Sequence, residues 1–245
     1  MALWTVIQEW GTDFLIPALI VAAIAYFCGC FNGAVIVSKY ILRNDVRSHG
    51  SGNAGLTNFH RVFGGPLTFV VILTDVIKAV VALLVGAMVF RGMVYDAVEI
   101  ELFAKYWAGL FCLIGHMFPC MFQFKGGKGI LSGGTIALMV DWRVALVVWG
   151  GFLILTALTR YVSLGSVWAG GSFPFISWIC YPDPVIVLLA FGCGRLVVWK
   201  HRANIKRLLS GTESKLTFRR RETKNESSCT GQRHMGHGSG HDPVR

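Results

Sequence analysis

Seven long apolar stretches, separated by short charged segments, set the terms for anything this chain can fold into. They run over residues 14–37, 66–90, 102–118, 130–140, 144–158, 162–180 and 184–199. A soluble helix or strand of similar length would carry a polar face at its own period. Here most of the charges are kept out of the stretches, the arrangement that hydrocarbon demands. With 54% hydrophobic and 15% charged residues over 245, the chain reads as an all-α, polytopic membrane helical bundle of about seven segments. The fourth is short. At 1.5 Å per residue, 130–140 rises only about 16 Å against a core of about 30 Å. It is either a short helix or one arm of a re-entrant pair with the fifth.

Basic residues favour the cytoplasmic side of such a bundle. Glu9 and Asp13 precede the first stretch, whereas Lys39, Arg43, Arg47 and Arg61 follow it. Asp96, Glu99 and Glu101 outweigh Arg91 and Lys105 after the second. Lys125 and Lys128, then Arg160, then Asp183 alone, continue the alternation. This puts the N-terminus outside and the C-terminus in the cytoplasm, and a re-entrant pair would leave that parity unchanged.

Of the net charge of +10, +7 lies between Lys200 and Arg245, from 11 basic and 4 acidic residues. No aromatic residues interleave these charges as a nucleic-acid binder would need, so the tail reads as a membrane-surface anchor. Residues 1–211 form the expected membrane-embedded domain. Residues 212–245, rich in Arg, Ser, Gly and His, are too polar to form a core and read as a disordered tail. Cys28, Cys30, Cys112, Cys120, Cys180 and Cys193 sit in or beside apolar segments without a CxxC pair, which argues against a zinc site or disulfides. No Lys or Arg precedes Lys39, which argues against a cleavable signal peptide.

Three polar segments fall on the expected cytoplasmic side. In the first, Gly50, Gly52 and Gly55 allow close approach of an anion to the backbone. Ser51, Asn53, Thr57 and Asn58 supply hydrogen bonds there, and Arg61 a bidentate cation. The GxGxxG spacing is not a dinucleotide loop, because no βαβ unit surrounds it. In the second, Lys125, Gly126, Gly127, Lys128 and Gly129 open a helix, making either an anion nest or a basic membrane-edge turn. In the third, His201 and Asn204 share a helical face beside Arg202; the alternative is a surface amphipathic helix. Ser163 and Ser166, after Arg160, either line the same site or start a helix. Asp75 and Lys78, one turn apart inside the second stretch, are functional or merely neutralise each other. His116 alone makes no metal site. Two glycine-rich basic loops and a His/Arg/Asn segment on one face suggest a site for phosphate beside acyl-compatible apolar spans. A phosphometabolite transporter is the main rival, although transporters bind near the bilayer midplane.

The segments GSGNAGLTNFHR, GHMFPCMFQFKGGKGI, RYVSLGS and HRANIKRLLSGTE, in this order, resemble the motifs of the bacterial acyl-phosphate:glycerol-3-phosphate acyltransferases. The resemblance runs from about Gly29 to Glu213. It implies a small inner-membrane enzyme, active on the cytoplasmic side, that moves an acyl group from acyl phosphate to the 1-hydroxyl of glycerol 3-phosphate. The product is lysophosphatidate, a phospholipid precursor. The expectation is direct attack without an acyl-enzyme, and without a metal, a cofactor or a nucleic-acid partner, in a functional monomer. Carried over by motif, Ser51, Arg61, Lys128, His201 and Asn204 are the expected catalytic residues. Gly52, Asn53, Thr57, Asn58, Lys125, Gly126, Gly127, Gly129, Ser163, Ser166 and Arg202 are expected to bind substrate. The chain departs from the family at Gly29-Cys30-Phe31-Asn32, where Gly-Ser-Ile-Pro is usual, at Leu56 and at Ile130-Leu131-Ser132. A thioester-type H-x4-D pattern occurs only at His237 and Asp242 in the tail, where it reads as chance.

Overall fold

The computed structural model describes residues 3–93 and 98–216. Among these, every regular element is helical. In chain order they are α1 (Leu3–Cys30), α2 (Gly33–Ile36), α3 (Leu56–Val62), α4 (Leu67–Met93) and α5 (Val98–Met117), then α6 (Ile130–Val140), α7 (Trp142–Thr159), α8 (Val162–Cys180), α9 (Pro184–Lys200) and α10 (Arg202–Leu209). Short π and 3-10 turns join some of them. Residues 217–245, most of the expected tail, lie outside the described residues.

The long helices α1 and α4 to α9 follow the seven apolar stretches, and α6 and α8 coincide with 130–140 and 162–180 residue for residue. The first stretch differs. It stops as a helix at Cys30 because Asn32 is buried there and starts α2 anew. Its side chain accepts the Val35 N–H (3.1 Å) and donates to the Ala54 carbonyl (3.0 Å), tying the end of α1 to the glycine-rich loop.

Helix α5 packs against α1, α4, α6 and α9 and so forms the axis of the bundle. Its core side is aromatic. Phe103 meets Phe14 and Phe90 with ring centroids 5.0 and 5.5 Å apart, and buried Tyr106 donates to Ser177 on α8 (2.8 Å). Large apolar side chains such as Leu146, Leu158, Ile179 and Leu188 point outward, which a lipid surrounding stabilises and water would not. The α1–α5 contact depends on glycine. A Cβ on Gly115 would stand 2.0 Å from the Tyr26 carbonyl oxygen, and one on Gly29 would stand 2.2 Å from that of Cys112. Backbones can approach this closely only where both side chains are missing.

Helices α6 and α7 form a hairpin around Asp141, which ends the first and caps the second by accepting the Arg143 N–H. Helix α7 has 18 residues and α6 has 11. Starting from one shared turn, α6 therefore ends about 10 Å short of its partner. That shortfall opens a recess in the bundle beneath the ends of α7 and α9, into which the loop before α6 descends.

Replacing Gly115 by Ala should drive α1 from α5 and cost about 1–3 kcal/mol. A lowered apparent Tm in detergent would register it; an unchanged melt would show that the helices can part freely.

Candidate active site

All the polar segments gather at one end of the bundle around a cavity of about 510 Å3. Its first wall is the loop before α3, and the organiser of that loop is Asn58. This buried amide reaches the carbonyls of Val46, His49 and Asn53 at 3.0–3.1 Å, and its Oδ1 accepts the Ser51 N–H at 2.9 Å. Gly50 is required beside it. Its φ is +57°, and a Cβ would lie 2.4 Å from Asn58 Oδ1. Ser51 and Asn53 are thereby presented to the cavity, with Thr57 and Arg61 on the following helical turns.

The second wall is the loop between α5 and α6. Gly126 and Gly127 donate their N–H groups to the carbonyls of Met117 and His116, which clamps the loop to the end of α5. Neither glycine leaves room for a side chain against His116. Lys128 consequently turns inward, and its Nζ donates to Asn204 Oδ1. Lys125 turns away. With Gly52 and Gly126 it borders a separate depression of about 380 Å3 beside Asp45 and Arg47.

The remaining walls come from α8, α10 and the chain after it. Asn204 Nδ2 donates to Ser163 Oγ (2.6 Å) and to Glu213 Oε1 (2.9 Å), while Ser163 itself donates to Glu213. Arg207 Nε pairs with Glu213 Oε2 at 2.6 Å. Ser166 also borders the cavity, with its hydroxyl turned to the Val162 carbonyl. Two further contacts hold residues 213–216 over the cavity: Arg61 donates to Ser214 (3.1 Å), and the Leu216 N–H to the Arg160 carbonyl (2.7 Å). The start of the expected tail is thus part of the site.

Three cations, Arg61, Lys128 and Arg207, border the cavity against the single carboxylate of Glu213; the other acid there, Asp75, is matched by Lys78 behind it. The surplus favours an anion. Burial, reinforced by Arg207 and Arg61, pushes the Lys128 ammonium down to about 8. Burial also pushes His201 down to about 4, so at neutral pH this imidazole is uncharged. Its Nδ1 lies 2.8 Å from the Val197 carbonyl, which can only accept; the proton therefore sits on Nδ1 and Nε2 is an acceptor. Burial raises the Glu213 carboxyl, but bonds from Ser163, Arg207 and Asn204 outweigh it and hold the group below the usual range. Beside this polar space runs a narrow apolar crevice of about 30 Å3, lined by Leu113, Ile136, Val148, Phe173 and Val197 among others. Gly129 and Ile130 border both.

The structure therefore brings together Ser51, Asn53, Thr57, Asn58, Arg61, Lys128, Gly129, Ser163, Ser166, His201 and Asn204. It leaves Gly52, Lys125, Gly126 and Gly127 outside the main cavity. Arg202 is exposed and lies over the Trp199 ring at 4.4 Å. Sequence reasoning passed over Arg207 and Glu213 as site residues. Arg207 lies three residues after Asn204, a same-face spacing that could have flagged it. Asp75 and His116, read separately, also reach the cavity wall. No metal-binding cluster occurs among the described residues.

The fold and cavity are those of a helical membrane protein with a cationic cavity beside an apolar crevice. The glycerol-3-phosphate acyltransferase family model matches residues 19–211. Glycerol-3-phosphate acyltransferases from Thermoanaerobacter pseudethanolicus and Clostridioides difficile are 36% and 38% identical. Each alignment covers 81% of this chain, with 96% and 95% of the relatives. Two crystal structures of PlsY (YgiH), an integral membrane glycerol 3-phosphate acyltransferase, in glycerol 3-phosphate and lysophosphatidic acid forms, match with TM-scores of 0.71 and 0.68. They are 30% and 29% identical, over 82% of this chain and 96% and 95% of theirs. The chain belongs to the glycerol-3-phosphate acyltransferase family.

Because the free Lys128 loses its charge above about pH 8, affinity for inorganic phosphate should fall as pH rises through that value, by up to about tenfold per unit. Lys128→Arg, charged throughout, should flatten the profile. Calorimetric titration in detergent would measure both, and a wild-type affinity level to about pH 9.5 would contradict the assignment.

Proposed function

We propose that the protein transfers an acyl group from acyl phosphate to the 1-hydroxyl of glycerol 3-phosphate, releasing lysophosphatidate and phosphate for phospholipid synthesis. It works as a monomer in the bacterial inner membrane, with the N-terminus outside and the cavity open to the cytoplasm. The observation that carries this reading is the meeting of a cationic cavity and an apolar crevice at Gly129 and Ile130. A phosphate and an acyl chain joined at a carbonyl match the polarity of the two sides of such a junction. The relative crystallised in glycerol 3-phosphate and lysophosphatidic acid forms supports the acceptor and the product.

Arg61 and Lys128 neutralise phosphate in this reading, joined by Arg207. Ser51 and Asn204 orient the reacting groups, and Asn53, Thr57, Ser163, Ser166 and the Gly129 backbone complete the binding surface. Asn58 acts by shaping its loop. Gly52, Lys125, Gly126, Gly127 and Arg202 support the site from outside the cavity. An acyl phosphate carries a good leaving group, so orientation and charge stabilisation suffice and no protein nucleophile is required. The glycerol hydroxyl oxygen bonds to the carbonyl carbon as the carbon–oxygen bond to phosphate breaks. Its proton has two candidate acceptors. His201, pushed to about 4, is a weaker base than a phosphate monoanion–dianion couple near about 6. The departing phosphate therefore takes the 1-hydroxyl proton, and His201 Nε2 orients the acceptor by accepting from its other hydroxyl.

Purified protein supplied with glycerol 3-phosphate should make lysophosphatidate from acyl phosphate and not from acyl-CoA. Ser51→Ala, His201→Ala and Asn204→Ala should each lower kcat by about 10²–10³-fold. Product from acyl-CoA alone would overturn the donor; full activity in both Ser51→Ala and His201→Ala would overturn the site.

A further inference from the structure

At the inner wall of the cavity, three buried side chains meet that the acyl-transfer reading leaves unused. Asp75 and Lys78 stand one turn apart on α4, and His116 approaches them from the last turn of α5; they are 3%, 5% and 2% exposed. Lys78 Nζ lies 2.7 Å from Asp75 Oδ1, an ion contact without hydrogen-bond alignment, and donates to the Phe31 carbonyl at 3.0 Å. Its third contact is His116 Nδ1, at 2.6 Å. An ammonium can only donate, so Nδ1 accepts and the imidazole proton resides on Nε2. Ser132 on α6 secures this corner by donating to the Asp75 carbonyl at 3.1 Å.

Nε2 has no acceptor among the described residues. It faces Gly127, where a Cβ would come within 2.3 Å of it. His116 borders the polar cavity, while Leu113, one turn earlier on the same helix, borders the apolar crevice. The ring edge also lies along Gly129, which borders both. The spare N–H therefore lies close to Gly129, where the polar cavity and the apolar crevice meet.

We infer that His116 is a further catalytic residue whose Nε2–H donates to the acyl carbonyl oxygen, with Asp75 and Lys78 as positioning residues that fix its tautomer. The inference rests on the acyl-transfer reading above. When the hydroxyl oxygen adds to the carbonyl carbon, the carbon–oxygen π pair moves onto the carbonyl oxygen, and Nε2–H stabilises it there. The pair returns as the bond to phosphate breaks and phosphate leaves with the proton. A donor fixed before the reaction needs no reorganisation at that moment.

The test compares wild type, His116→Leu, His116→Gln and Lys78→Met in parallel, with acyl phosphate and glycerol 3-phosphate as substrates. His116→Leu should lose about 10²–10³-fold in kcat while the KM for glycerol 3-phosphate stays within about threefold. His116→Gln, which keeps an N–H donor, should recover about tenfold of the loss. Nitrogen-15 NMR of histidine-labelled wild type should show His116 as the Nε2–H tautomer, and Lys78→Met should release that restriction. A His116→Leu kcat within about threefold of wild type, or an Nδ1–H tautomer in wild type, overturns the inference. The spectrum decides even if the leucine variant does not fold. Lysophosphatidate missing from the wild-type assay would instead sink the acyl-transfer reading and leave the tautomer assignment standing.

Discussion

A half-buried ammonium still needs a partner, and much of the polar architecture of this protein follows from how Lys128 finds one. The loop carrying it descends because α6 stops short of α7, which takes the charge below the level of the neighbouring helix ends. Asn204 meets it there by turning its carbonyl oxygen to the lysine, which leaves its amide nitrogen for Ser163 and Glu213. Glu213 in turn draws Arg207 over the opening. Each polar group is satisfied by the next, so the network stands inside an apolar bundle without an isolated charge. The same sequence of contacts joins a loop before α6, the start of α8, and both α10 and the chain beyond it.

The electrostatic result differs from a simple collection of positive groups. His201 is uncharged at neutral pH, and Glu213 cancels part of the positive field, so attraction comes from a small surplus placed around the rim. A moderate surplus attracts an anion less tightly than an unopposed cluster of cations would. The apolar crevice adds attraction of another kind, independent of salt. A ligand using both is recognised at two ends by forces that respond differently to its chemistry.

The bundle was legible in the sequence because hydrophobic length is a local property. The residues 130–140 stand out between Gly129 and Asp141, and the structure stops α6 at the same limits. The interruption at Asn32 was not legible, since one amide in an apolar run carries no period; its role depends on Ala54, which is distant in sequence. The site residues divide in the same way. Lys125 and Lys128 lie in one short motif and have the same chemistry, yet only the contact of Gly126 and Gly127 with His116 decides which of them turns inward. Arg202 and Arg207 pose a similar choice on α10, resolved by Trp199 on one side and Glu213 on the other. The meeting of Asp75 with His116 depends on the packing of α4 against α5, which no local spacing encodes.

The cavity's walls are drawn from both ends of the described chain. Ser51 and Arg61 arrive early, whereas Asn204, Arg207 and Glu213 arrive after every long helix has been made. Segments made on the ribosome fold broadly in the order of their synthesis. The first wall therefore exists for most of the chain's production without its counterpart, and the polar network cannot close until the last helix has left the ribosome. A chain broken off after α9 would carry the hydrocarbon-compatible bundle and half of a site. Synthesis of α10 and the residues after it is thus the step at which the cavity first has all its walls.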